Sequence, residues 1–160
     1  MATDAQRRHL HQLMGYLLAH EPQIHYAQVR PMRTVGLSEA QLRQRLDAKG
    51  YISMDCSEAV TCLCKWAGLR DPNGNHYNGS GYTGTLLAHL PHYSDPRKAK
   101  VGALCVFGPG TGEHVAMVIE PGATPVMWSH GGESGPIRIS FERERALHRR
   151  PATFLSIAAL

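Results

Sequence analysis

Asp55-Cys56-Ser57-Glu58-Ala59-Val60 places a cysteine where a helix should begin. Cys56, Val60, Leu63, Cys64 and Ala67 recur at helical spacing, which predicts a helix over residues 56–67 with Cys56 at the end of its buried stripe. The exposed N–H groups and the dipole of a helix start stabilise a thiolate. Asp55 and Ser57 flank the cysteine with polar side chains, an odd setting for a residue that only fills a core. Far downstream, Glu113-His114-Val115-Ala116-Met117-Val118 puts a histidine at the mouth of an apolar strand, just after the turn Gly108-Pro109-Gly110-Thr111-Gly112. Nucleophilic catalysis by sulfur needs a thiolate, a nearby imidazole and a third group that holds the imidazole. Cys56 and His114 supply the first two.

Working outward, the first half of the chain reads as helical. Leu10, Leu13, Met14, Leu17 and Leu18 form one stripe, predicting a helix over 4–20 that Pro22 stops. The segment Ile24-His25-Tyr26 to Arg30-Pro31 reads as a loop. Ser38 with Gln41 forms a capping box for a second helix that carries Leu42 and Leu46 and closes at Gly50. Asp71 to Thr85 is rich in glycine and asparagine and reads as a long loop, followed by a short helical piece at 86–90. The second half reads as strands over 101–107, 114–119, 126–129, 137–141 and 153–157. Helices first and antiparallel strands second is an α+β pattern. No repeat or linker divides residues 1–160, so one domain is expected.

Bulk composition agrees. The chain has 160 residues, enough to bury a core without disulfides, and 42% of them are hydrophobic. The net charge of +4 with neutral histidines favours anionic partners, bacterial cell-wall polymers among them. No nucleic-acid-binding signature accompanies it, so nucleic acid is not expected as a partner. The first twelve residues are polar and no run approaches membrane-spanning length, so neither a signal peptide nor a stable membrane association is expected. A monomer is expected. Of the four cysteines, Cys62, Cys64 and Cys105 have apolar settings and read as packing. There is no C-x-x-C pair and no H-E-x-x-H, and the chemistry of a Cys-His pair needs no metal or cofactor. The glycine-rich turn at 108–112 lacks the Lys-Ser/Thr of a phosphate loop. Arg143, Arg145, Arg149 and Arg150 read as a solvated face.

The third group is sought near His114. If 114–119 and 126–130 form a hairpin, His130 lies beyond the end of the partner strand and close to His114. His130 is therefore the expected orienting residue. Glu113 should point to the opposite side of its strand, and Glu133 and Ser129 are weaker rivals.

At these residues the chain resembles the NlpC-type cell-wall peptidases, a papain-like family that cuts peptidoglycan stem peptides. Asp55-Cys56-Ser57 is similar to that family's nucleophile motif, His114-Val115-Ala116-Met117-Val118 to its His-Val strand, and Gly102-Ala103-Leu104-Cys105-Val106-Phe107 to the strand before it. Ala103 stands where the family usually has aspartate, and Glu58 where it usually has glycine. Ile24-His25-Tyr26-Ala27-Gln28 resembles an upstream segment whose tyrosine assists the active site. The resemblance covers roughly residues 22–135. It implies a papain-like fold with N-terminal helices packed on a C-terminal antiparallel sheet. It also implies an assisting role for Tyr26, and recognition of a free stem-peptide amine by Asp55 and Ser57, with helix capping the alternative for those two.

The segment from His114 through Ser129-His130-Gly131 to Gly135-Pro136 looks most like the peptidase domains of phage lysins. The expected function is a peptidoglycan endopeptidase of Cys-His-His type, made in the host cytoplasm and acting on the cell wall after release. The alternatives are an amidase or acyltransferase with the same pair, and a non-catalytic virion or wall-binding protein.

Overall fold

The computed structural model describes residues 1–131 and 135–160. Helix α1 (Asp4–Ala19) starts at a reciprocal cap between Thr3 and Gln6 and buries Leu10, Leu13, Met14 and Leu17. Helix α2 (Glu39–Asp47) starts at the Ser38–Gln41 box and buries Leu42 and Leu46. Helix α3 (Cys56–Trp66) is central, and all its residues except Lys65 are buried. Glu58 is buried there because its carboxylate accepts the backbone N–H groups of Thr34 (2.7 Å) and Val35 (3.4 Å), tying α3 to the 3₁₀ turn Thr34–Gly36. A glycine at that position would leave those donors without this partner.

The segment read as a loop at 24–26 is instead a strand. β1 (Ile24–Tyr26) pairs in parallel with β2 (Ile52–Met54), with His25 opposite Ser53. Three residues are too few for periodicity to distinguish strand from loop, and the pairing partner is remote in sequence. After the Asp71 loop come α4 (Thr83–His89) and β3 (His92–Tyr93). The Asp71 carboxylate organises that loop by accepting the N–H groups of Asn73, Asn75 and Tyr77 at 2.7–3.1 Å.

The larger sheet adds β4 (Leu104–Phe107), β5 (His114–Glu120), β6 (Val126–Ser129), β7 (Ile137–Ser140) and β8 (Ala152–Leu155). Its order is β3-β8-β4-β5-β6-β7, and every pairing is antiparallel. Among the described residues the protein is thus mixed α+β, a six-stranded antiparallel sheet with helices and a small parallel pair. Strand alternation gives the sheet two apolar faces. Leu104, Val106, Val115, Met117 and Trp128 join the helical core, whereas Cys105, Phe107, Ala116, Val118 and Phe154 form a second cluster. That second cluster is covered by Phe141 of a helix the sequence reading missed, α5 (Phe141–Leu147), capped by Ser140. Among the described residues, no helix is long and apolar enough to cross a membrane.

Candidate active site

Cys56 is the first residue of α3, and the Asp55 carboxylate caps the helix by accepting the Glu58 N–H at 2.8 Å. Cys56 is 6% exposed. The imidazole it meets arrives on β5. His114 is the first residue of that strand, in register with Phe107, and the turn before it is tight. At Gly112 (φ +82°) a Cβ would come within 2.4 Å of Val106. Only glycine fits there without moving β4.

The sulfur of Cys56 neighbours the His114 ring closely enough to favour its charged form. The Nε2 of His114 lies 2.9 Å from Ser129 Oγ and 2.8 Å from Glu144 Oε1. Nδ1 is therefore the nitrogen left for the sulfur. The Ser129 hydroxyl donates to the same Glu144 oxygen at 2.5 Å. Burial opposes charge on His114, but the neighbouring Cys56 sulfur and the bond to Glu144 outweigh it and push its pKa up to about 9. Burial likewise opposes charge on Glu144, yet the bonds from His114 and Ser129 and the nearby imidazoles hold its pKa below the ordinary carboxylate value. The site is thus built to hold an imidazolium between a sulfur and a carboxylate.

This corrects the expectation for the third group. His130 is 1% exposed and does not bind the ring of His114. Its Nε2 lies 2.9 Å from the Met54 carbonyl and 3.2 Å from the His25 carbonyl, so Nε2–H donates to the middle of β1 and the end of β2. Burial lowers its pKa, which keeps the ring neutral and the donor in place. The residue stays close to the site, because its ring lies 5.5 Å from that of Tyr26. Its hydrogen bonds, however, are with backbone. Ser129 joins the network as an intermediary, and Glu133 lies outside the described residues.

Glu144 was missed because residues 143–150 read as a solvated arginine face. The available signal was a stripe: Phe141, Glu144 and His148 are spaced i, i+3, i+7, so a carboxylate shares a face with an aromatic ring that needs burial. His148 stacks on His114, with ring centres 4.3 Å apart and planes at 10°, and its Nε2 is 3.5 Å from Glu144 Oε1. His114, Glu144 and His148 bring ligand-type atoms within 4.8 Å of one another. The Nε2 atoms of both histidines face the same Glu144 oxygen, and that of His114 is already bonded to Ser129 and Glu144.

Tyr26, on β1, is brought to the same place. Its hydroxyl neighbours the side chains of Cys56 and Gln28. Burial and the sulfur's charge push its pKa up to about 12, so the phenol keeps its proton at neutral pH. Asp55 and Ser57 lie on the other side of the sulfur and are occupied by Arg30, whose Nη2 is 2.8 Å from both Asp55 Oδ2 and Ser57 Oγ. Two hollows flank the pair. One, of about 290 Å³, is lined by Tyr26, His114, Ser129, Glu144 and His148; the other, of about 320 Å³, by Gln28, Arg30, Asp55, Cys56 and Ser57. The remaining thiols are buried, and burial raises the pKa of each, that of Cys64 to about 12. They have no part in the cluster.

No protein-family model matches the chain, and no curated protein matches it.

Proposed function

We propose that the chain is a papain-like cysteine hydrolase of the NlpC type that cuts an amide bond in peptidoglycan stem peptides. The observation that carries the chemistry is the buried imidazole of His114, bonded to Glu144 at 2.8 Å and facing the sulfur of Cys56, which favours its charged form. Support for the substrate comes from the resemblance at Asp55-Cys56-Ser57 and His114–Val118, and from a net charge of +4 that suits an anionic wall. The same resemblance supports a phage lysin, made in the host cytoplasm and reaching the wall on release.

In this reading the Cys56 thiolate attacks the amide carbon, and the carbonyl π electrons move onto oxygen. The backbone N–H of Cys56 and the Tyr26 hydroxyl donate to that oxyanion, each worth about 3 kcal/mol in comparable sites. As the intermediate collapses, the C–N bond breaks. The imidazolium of His114 hands its proton to the leaving amine, and a thioester remains. Neutral His114 then takes a proton from water, whose oxygen attacks the thioester carbon. Collapse releases the acid and restores the thiolate. Glu144 and Ser129 hold the ring so that the same nitrogen serves both proton transfers.

The decisive experiment is a turbidity assay on purified cell walls with wild type and Cys56→Ala side by side, and mass analysis of the products. Loss of clearing in a folded variant and a new amine in the stem peptide are expected. Clearing at the wild-type rate would remove Cys56 from the mechanism. Release of the whole stem from its sugar would make the protein an amidase.

A further inference from the structure

The two hollows divide the substrate. His114 must deliver its proton to the leaving amine, so the leaving side lies in the hollow that His114 lines. The other hollow is walled by Cys56 but not by His114, and so receives the acyl side. Its wall holds three charged residues among those described: Arg30, Asp55 and Glu113. Glu113 is paired with Arg149. Asp55 is 4% exposed, and its acceptors are committed. Oδ1 takes the Glu58 N–H at 2.8 Å and the Ser57 hydroxyl at 3.0 Å, and Oδ2 takes Arg30 at 2.8 Å. Arg30 is itself anchored, with Nε 2.8 Å from the Gly81 carbonyl and Nη1 2.9 Å from the Val29 carbonyl. Its side chain remains 32% exposed.

A substrate ammonium bound here would need a buried carboxylate with no cation of its own, and would have to displace a guanidinium fixed at three further points. We infer that Arg30 is a specificity-determining residue that excludes a free ammonium from the acyl side. The substrate residue beside the scissile carbonyl then has an acylated amine, and the protein cuts within a run of amides rather than next to a free amino terminus. The inference rests on the hydrolase reading, and it reverses the amine-binding role that the resemblance implies for Asp55 and Ser57. Like charges brought together penalise the wrong partner, and that penalty sets the selectivity.

The test uses stem peptides that differ only in a free or an acetylated amino terminus. Wild type should favour the acetylated peptide by about tenfold or more in kcat/KM, since a like-charge contact of modest size already gives that ratio. Arg30→Met should move the ratio towards the free amine by a similar factor, and Arg30→Lys should keep the wild-type preference. Calorimetric binding of both peptides to Cys56→Ala should show the same order, so the inference stands or falls even if Arg30→Met does not fold. Preference of wild type for the free amine, or a ratio unmoved in folded Arg30→Met, overturns the inference and leaves the hydrolase standing. Cleavage and binding of neither peptide overturns both.

Discussion

Glu144 is the residue on which the protonation state of the site turns. Its carboxylate faces His114 across 2.8 Å with both side chains almost wholly buried, so the pair gains more from its charges than a solvated pair would. Replacing it with glutamine keeps the shape and removes the charge. Glu144→Gln should lower kcat on the order of 10²-fold, the scale of a mispositioned acid–base group. It should also move the alkaline limb of the pH–rate profile to lower pH, because the imidazolium loses the anion that helps raise its pKa to about 9. A pH–rate profile of the variant checks this; a role confined to packing would lower the rate and leave the limb in place. Ser129→Ala removes only the intermediary and should have the smaller effect of the two.

At the scale of elements, the site is a junction of β1, β2, the start of α3, β5 and α5. His130 fastens the first three. Its single donor serves the carbonyls of His25 and Met54, which immediately precede Tyr26 and Asp55, so one imidazole sets the height of both the phenol and the cysteine-bearing helix. His130→Ala leaves those carbonyls without that donor and opens a cavity beside Tyr26. A loss of about 1–3 kcal/mol is expected from the unsatisfied groups, read as a shift in the urea midpoint. Activity should fall as well, although His130 touches neither Cys56 nor the proton being moved. Wild-type stability in a soluble, folded His130→Ala protein would dismiss the clamp.

Over the whole molecule, two buried histidines tie stability to pH from opposite sides. His114 has its pKa raised from 6.5 to about 9 on folding, so its contribution is complete below pH 6.5 and is lost as pH rises through about 9. His130 has its pKa lowered from 6.5, so folding is penalised as pH falls below 6.5 towards that lowered value. Urea unfolding across pH should therefore show stability declining on both flanks, with His130→Ala flattening the acid flank and Glu144→Gln weakening the alkaline one. Flanks unchanged in both variants would contradict these assignments. The local chemistry of the site was already legible along the chain. A helix start is written in capping residues and a 3.6-residue stripe, so Cys56 and its cap at Asp55 could be placed from their neighbours alone. His114 could be set at a strand mouth by the glycine turn before it and the apolar run after it. Contacts between distant segments were not legible. Arg30 reaches Asp55, α5 reaches His114, and His130 reaches His25 across 105 residues, through packing that leaves no periodic trace. The chain alone marked Cys56 and His114 as the candidate pair and the kinds of element on which they sit. Only folding decided that a carboxylate holds the imidazole, and that an arginine sits beside the sulfur, because a buried charge settles where a partner from elsewhere in the chain compensates it.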